Sequence, residues 1–162
     1  MTRITPSLLI IGILCCSLLA ADKSPKKKPK GNSPLRGVNC FVNKQNSVSA
    51  KWTVKYRQGV LYFSNAASRA TYRKSPKKYV AWANYQLVQT TQYVQQRCPL
   101  SGEEFDKDSV TMKVGKVSVR LLCAGCKKEI SKLPLEKQVK ELFDNEAFKY
   151  GKFVRKKTKR GT

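Results

Sequence analysis

"CPLSGEEFDKDSVTMKVGKVSVRLLCAGCKKEI", residues 98–130, carries the pattern that decides the fold. Two runs in it, "SVTMKV" and "VSVRLL", flank Gly115 and alternate β-branched with polar residues, as the strands of a hairpin do. The small-residue step "CAGC" follows, and "CAGCKKEISKL" reads as a helix start. Its thiols, Cys123 and Cys126, stand where the positive end of a helix favours thiolates. Downstream, "PLEKQVKELF" sets Leu135, Val139, Leu142 and Phe143 at helical spacing.

Moving outward, the same grammar occurs a second time, 58 residues earlier. Cys40 falls on Cys98, Phe63 on Leu121, Ser68 on Cys126, Tyr72 on Ile130 and Pro76 on Pro134. In this earlier copy "WTVKY" and "VLYF" are the strands and "RQG" the turn. Ser64 or Asn65 caps the helix that follows. Pro76 opens a further helix, "PKKYVAWANYQLV", with Tyr79, Ala83 and Leu87 on one face. The stretch "TTQYVQQRC" reads as an extended connector.

Cysteine, hairpin, small Cys-rich step, helix, "P-x-K-Y" and "AN-x-QLV" together resemble tandem YHS or TRASH-type domains, small treble-clef-like metal-binding modules. The resemblance covers roughly residues 37–145. It implies an α+β fold of two tandem hairpin-plus-helices units. In that family the step after the second strand reads Phe-Cys-Cys-x-Gly-Cys and supplies thiolates to a metal together with the leading cysteine. Here the first copy reads "FSNAAS": Ser64, Asn65 and Ser68 stand where thiols are expected, and Cys40 alone remains. The second reads "LLCAGC": Leu122 replaces one thiol, while Cys123 and Cys126 persist beside Cys98.

The resemblance therefore implies zinc or copper at Cys98, Cys123 and Cys126. A closed zinc site wants four ligands. Cys40, a carboxylate among Glu103, Glu104 and Asp106, or water would complete it. Soft thiolates suit copper(I) equally. Against metal stands the disulfide: Cys98 with Cys123 or Cys126, or the latter two with each other. A bridged loop of ~25 residues is worth a few kcal/mol in the entropic account. Free, redox-active thiols are the third reading, with Cys123 as nucleophile and Cys126 as resolver.

"MTRITPSLLIIGILCCSLLAADKS" reads as a signal peptide over residues 1–21, its apolar run too short to span a bilayer. An uncleaved N-terminal anchor is the alternative. The expected organisation is signal peptide 1–21, basic disordered linker 22–36, first unit 37–96, second unit 97–148 and basic tail 149–162. In the tail, Phe153 and Val154 are candidates for local packing. An exported chain of this plan is periplasmic or extracellular, with no transmembrane segment once the signal is removed.

Charge is unevenly placed. Formal net charge is +23, and residues 23–102 carry sixteen Lys or Arg without one Asp or Glu. Residues 103–148 balance nine acids against nine bases, and seven more bases follow from Lys149 to Arg160. Cations interleaved with Trp52, Tyr56, Tyr62, Trp82 and Tyr85 are suited to a polyanion. In an exported protein that means envelope polysaccharide, lipid headgroups or an acidic protein rather than nucleic acid. Tyr62, Phe63, Tyr72 and Tyr79 hold positions expected in the core. The chain has no histidine, which removes the usual general base and any Ser/His/Asp arrangement. The expectation is a non-enzymatic protein.

Overall fold

The computed structural model describes residues 34–157. The signal peptide and linker up to residue 33, and the last five residues of the tail, lie outside the described residues. Among the described residues the architecture is mixed α+β, built from three two-stranded antiparallel sheets and five α-helices. Among the described residues no helix is long and apolar enough to cross a membrane.

Strands β1 (Ser49–Tyr56) and β2 (Gly59–Phe63) form the first hairpin. Their register runs from Tyr56↔Gly59 to Thr53↔Tyr62 and is then interrupted by an irregularity before Ser49↔Phe63. Alternation drives the pairing: Leu61 and Phe63 face inward and are fully buried, while Val60 and Tyr62 are half-buried. Helix α1 (Ala66–Lys74) follows, capped by Asn65, whose side chain accepts from the Ser68 N–H at 2.8 Å. Of the two candidate caps, Asn65 is the one used. Pro76 opens a 3-10 turn, Pro76–Tyr79, that leads into α2 (Val80–Gln89). The short strand β3 (Tyr93–Val94) ends this half.

The second hairpin pairs β4 (Val110–Val114) with β5 (Val117–Leu121) without irregularity. Helices α3 (Ala124–Ser131), α4 (Leu135–Phe143) and α5 (Asn145–Tyr150) follow, and β6 (Val154–Arg155) pairs with β3. Several features recur at the spacing noted in the sequence. β2 and β5 occupy 59–63 and 117–121, and α1 and α3 begin at Ala66 and Ala124. Each tight turn takes a positive φ at its first residue, 52° at Arg57 and 55° at Gly115. Glycine adopts that conformation freely. Arg57 does so while its guanidinium bonds Asn84 and Asn145 and lies 4.7 Å over the Phe148 ring.

Both halves share one core. Phe41, Phe63, Tyr72 and Tyr79 form an aromatic cluster with centroid spacings of 5.2–6.2 Å under the first hairpin. Phe63 and Tyr72 are buried as expected, whereas Tyr62 and Tyr79 are half-buried. Val119, Leu121, Ile130, Val139, Leu142 and Phe143 extend the cluster through the second half. Leu135, on the same predicted helical face, is 43% exposed.

Helix α2 ties the halves together with polar side chains that periodicity alone does not reveal. Asn84 is fully buried; it accepts from Tyr56 Oη (3.1 Å) and Arg57 Nε (3.0 Å) and donates to the Phe143 carbonyl (2.8 Å). One residue on, Tyr85 Oη donates to the Val114 carbonyl and accepts the Lys116 N–H. Gln86 exchanges two hydrogen bonds with the Tyr62 backbone (2.8 and 2.9 Å), and Gln92 does the same with Val60 (2.7 Å each). Gln95 repeats the device on Arg120 of β5. Side-chain amides thus occupy the positions a third strand would take, which blunts the open edges of β2 and β5.

Gln92 and Gln95 belong to "TTQYVQQRC", which begins as the turn closing α2, becomes extended at Tyr93–Val94 and covers the edges of both hairpins. The tail is likewise more ordered than its composition suggests. The Gly151 carbonyl accepts the Gln96 and Arg97 N–H groups, and Phe153 is buried, stacked 4.6 Å from Phe148. The packing expected of Phe153 therefore extends to a paired strand at Val154.

Candidate metal centre

Two of the expected ligands meet at the start of α3. Cys123 is its N-cap: the sulfur accepts the Cys126 N–H at 3.2 Å and lies 2.7 Å from Cys126 Sγ, the two sharing a hydrogen bond. That bond, with the Cys126 and Gly125 N–H groups, lowers the Cys123 thiol below its ordinary value. Cys126 moves the other way, raised by the same hydrogen bond, by burial, and by the charges of Cys123 and Cys98. Cys123, exposed and the first to ionise, is the more nucleophilic sulfur; Cys126 leans back against the core.

Cys98 acts on Cys126 through its charge. It sits in a tight turn: its N–H donates to the Glu103 carbonyl (3.0 Å), and its own carbonyl accepts the Gly102 N–H (2.8 Å). Gly102 has φ +77°, which a glycine takes without strain. Cys98 is buried, yet near enough for its charge to act on Cys126.

Cys40 is placed elsewhere. It is fully buried under the first hairpin, and the groups around its sulfur are its neighbours there, not Cys123 or Cys126. Burial raises its thiol, but hydrogen bonds from the backbone of Asn43, Ser64 and Val42 and from the Ser64 side chain outweigh it, leaving the thiol lowered. Ser64 Oγ continues to Ser68 Oγ at 3.1 Å. The result is a cluster of N–H and hydroxyl donors around the Cys40 sulfur.

Two of the three carboxylates considered as a fourth ligand, Glu104 and Asp106, have other partners. Glu104 pairs with Arg97 at 2.8 Å on the surface, and Asp106 Oδ1 accepts from the Asp108 N–H and the Ser109 hydroxyl. Among the described residues no group of three Cys, Asp or Glu side chains converges as a ready-made ion cage. A tetrahedral zinc with Zn–S of ~2.3 Å spaces its sulfurs by about 3.8 Å. A disulfide brings them to about 2.05 Å. At 2.7 Å, the Cys123 and Cys126 sulfurs lie between the two spacings.

A second feature belongs to the first half. Lys51 Nζ and the Arg69 guanidinium both lie over the Trp52 ring, at 4.9 and 5.2 Å. The ion pairs among the described residues are Lys44–Glu136, Arg97–Glu104 and Lys132–Glu129. Lys51, Lys55, Arg69, Arg73, Lys74, Lys77 and Lys78 therefore have no acidic partner there. The hydroxyl partnership of Cys40 with Ser64 and the strut at Asn84 were not read from the sequence. The one available signal was polar residues at repeat positions where the other copy carries sulfur or an apolar side chain.

Set against protein-family models, characterised proteins and solved structures, the chain matches none.

Proposed function

We propose that this chain is an exported, non-enzymatic module of YHS/TRASH-like ancestry, built as two tandem treble-clef-like units. In this reading the second unit binds one transition-metal ion, zinc or copper(I), through Cys98, Cys123 and Cys126. The first unit is a copy whose thiols have given way to Ser64, Asn65 and Ser68. The observation that carries the reading is the pairing of Cys123 and Cys126 at a helix start within electrostatic reach of Cys98. Thiolates are the form a soft metal takes, and a helix N-terminus with two N–H groups on one sulfur favours that form. Water or the Glu103 carboxylate would complete the set, because Glu104 is paired with Arg97 and Asp106 Oδ1 accepts from Asp108 and Ser109. The donors gathered around the Cys40 sulfur support the idea that the first unit descends from the same site.

The test is elemental analysis of the reduced full chain alongside a free-thiol titration. About one equivalent of zinc or copper is expected, lost in Cys126→Ser and kept in Cys40→Ser. Metal-free protein whose Cys123 and Cys126 titrate as a disulfide would overturn the metal reading and leave the unit as a scaffold.

A second reading rests on a separate observation, the unpaired cations around Trp52: the first unit holds an anionic polymer or envelope surface. Retention on heparin that falls steeply with salt and persists in Cys123→Ser is the expected result. Loss of retention in Lys51→Gln/Arg69→Gln would assign it to this face.

A further inference from the structure

Helix α2 also lines the space beside the second hairpin's turn. Trp82, Tyr85, Gln86 and Gln89, spaced as one helical stripe, floor a cavity of about 240 Å³. The Lys116 side chain at the second hairpin's turn and Leu135 at the start of α4 form its far wall. We infer that this cavity binds a small aromatic carboxylate or a like ring-bearing acid.

The floor is apolar in effect although it includes polar residues. Trp82 meets the edge of Tyr85 at 5.5 Å, and the Tyr85 hydroxyl is committed to Val114 and Lys116. Both ends of the Gln86 amide are held by the Tyr62 backbone. A guest therefore meets rings and aliphatic carbon below it. Leu135, exposed without a neighbour to cover it, adds an apolar wall. A flat ring is the shape that such a floor stacks best.

The rim supplies the other half of the recognition. Lys116 Nζ donates to the Gly37 carbonyl at 2.6 Å and keeps further N–H groups for a guest, with no acid paired to it. Lys44 Nζ lies 5.3 Å over the Trp82 ring and is paired with Glu136, so the rim retains net positive charge. The Asn39 and Gln89 amides, also at the rim, have no hydrogen-bond partner among the described residues. Donors with an unneutralised cation select an anion, and the amides can orient its oxygens.

Two glycines keep the space open. A Cβ on Gly115 would fall 2.7 Å from Tyr85 Oη, and one on Gly37 would crowd Lys116 Nζ at 3.1 Å. Both have positive φ, so glycine serves the turn and the cavity at once. The volume lies below the ~300–1,000 Å³ of drug-sized sites, which limits the guest to one or two rings. Nothing in this assignment depends on whether the thiols hold a metal.

Calorimetric titration of the reduced full chain with 2-naphthoate, 2-naphthalenemethanol and 2-naphthylmethylammonium tests it. One naphthoate per chain should bind, about tenfold tighter than the ammonium analogue. Lys116→Gln should weaken naphthoate about fivefold and narrow its advantage over the alcohol. Gln89→Trp, which fills the mouth from a half-exposed helix position, should remove binding, while Lys113→Gln on β4 should leave it unchanged. Absence of naphthoate binding at millimolar concentration, equal binding of the ammonium, or full binding by Gln89→Trp would each overturn the inference.

Discussion

The starts of α1 and α3 are the two regions to compare. At both, the N-cap side chain accepts the N–H three residues on: Asn65 from Ser68 at 2.8 Å, Cys123 from Cys126 at 3.2 Å. At both, a buried cysteine approaches from the segment that precedes the hairpin. What differs is the chemistry offered. Around Cys40 the neighbours are hydroxyls and backbone N–H groups, whereas Cys98 acts through its charge on the Cys126 sulfur. A cap that serves helix geometry can be oxygen or sulfur, so the scaffold tolerates the exchange.

The comparison breaks most visibly in the core. Phe63 and Leu121 hold equivalent, fully buried places. Phe63→Ala should cost about 4 kcal/mol and Leu121→Ala about 3 kcal/mol. Because both sit in one continuous cluster, each should lower a single cooperative transition seen by denaturant titration. Two separated transitions would show that the halves fold independently.

Next is the strut. Asn84 occupies the place that Leu142 takes in the second half. Asn84→Leu copies that half in sequence but strands Tyr56 Oη, Arg57 and the Phe143 carbonyl, at a cost of about 2–3 kcal/mol. A neutral result by thermal melting would mean that these groups find water instead.

Tyr72, opposite Ile130 in the second half, makes the alkaline limit a property of the first. Burial, with the charge of Tyr56, pushes its hydroxyl up to about 12. The unfolded chain ionises this group near its ordinary value of about 10, whereas the folded chain holds it neutral. Stability should therefore fall as pH rises from about 10 towards 12, by on the order of 2 kcal/mol. Tyr72→Ile should flatten that part of the pH profile, and absorbance of the tyrosinate should show the late-titrating group disappear.

The caps give the smallest stability effect and the sharpest chemical one. Asn65→Ala should cost about 1 kcal/mol, and Asn65→Cys less. Cys123→Asn should leave the helix intact but remove the fast-alkylating thiol. In the native chain, iodoacetamide labelling should titrate below the ordinary thiol range at Cys123 and above it at Cys126. Labelling of both at one common midpoint would sink the assignment of the lowered thiol.

Much of the fold was legible because it follows from local rules. Alternation in "VLYF" and "VSVRLL", turns before Gly59 and at Gly115, and the helical spacing of Val139, Leu142 and Phe143 each reflect a period of two or 3.6. The cysteine spacing likewise pointed to Cys123 and Cys126 as neighbours, and they meet at the start of α3. Cys40 was less legible, because its surroundings depend on which side chain the first hairpin sets above it, and that proves to be Ser64. Nor could Gln86, Gln92 and Gln95 be read as edge covers, since a glutamine on paper is as much a surface residue as a strand's substitute partner.

By itself the sequence determined the elements, the twofold grammar, the concentration of positive charge in the first half and the absence of histidine, all of which are properties of single positions or short spacings. Only the tertiary structure decided that α2 lies between the hairpins, that its Asn84 and Tyr85 bind both halves into one core, and that the tail closes on β3. Those outcomes rest on groups far apart in the chain satisfying one another's buried hydrogen bonds, and no local pattern records which distant partner a polar side chain will find.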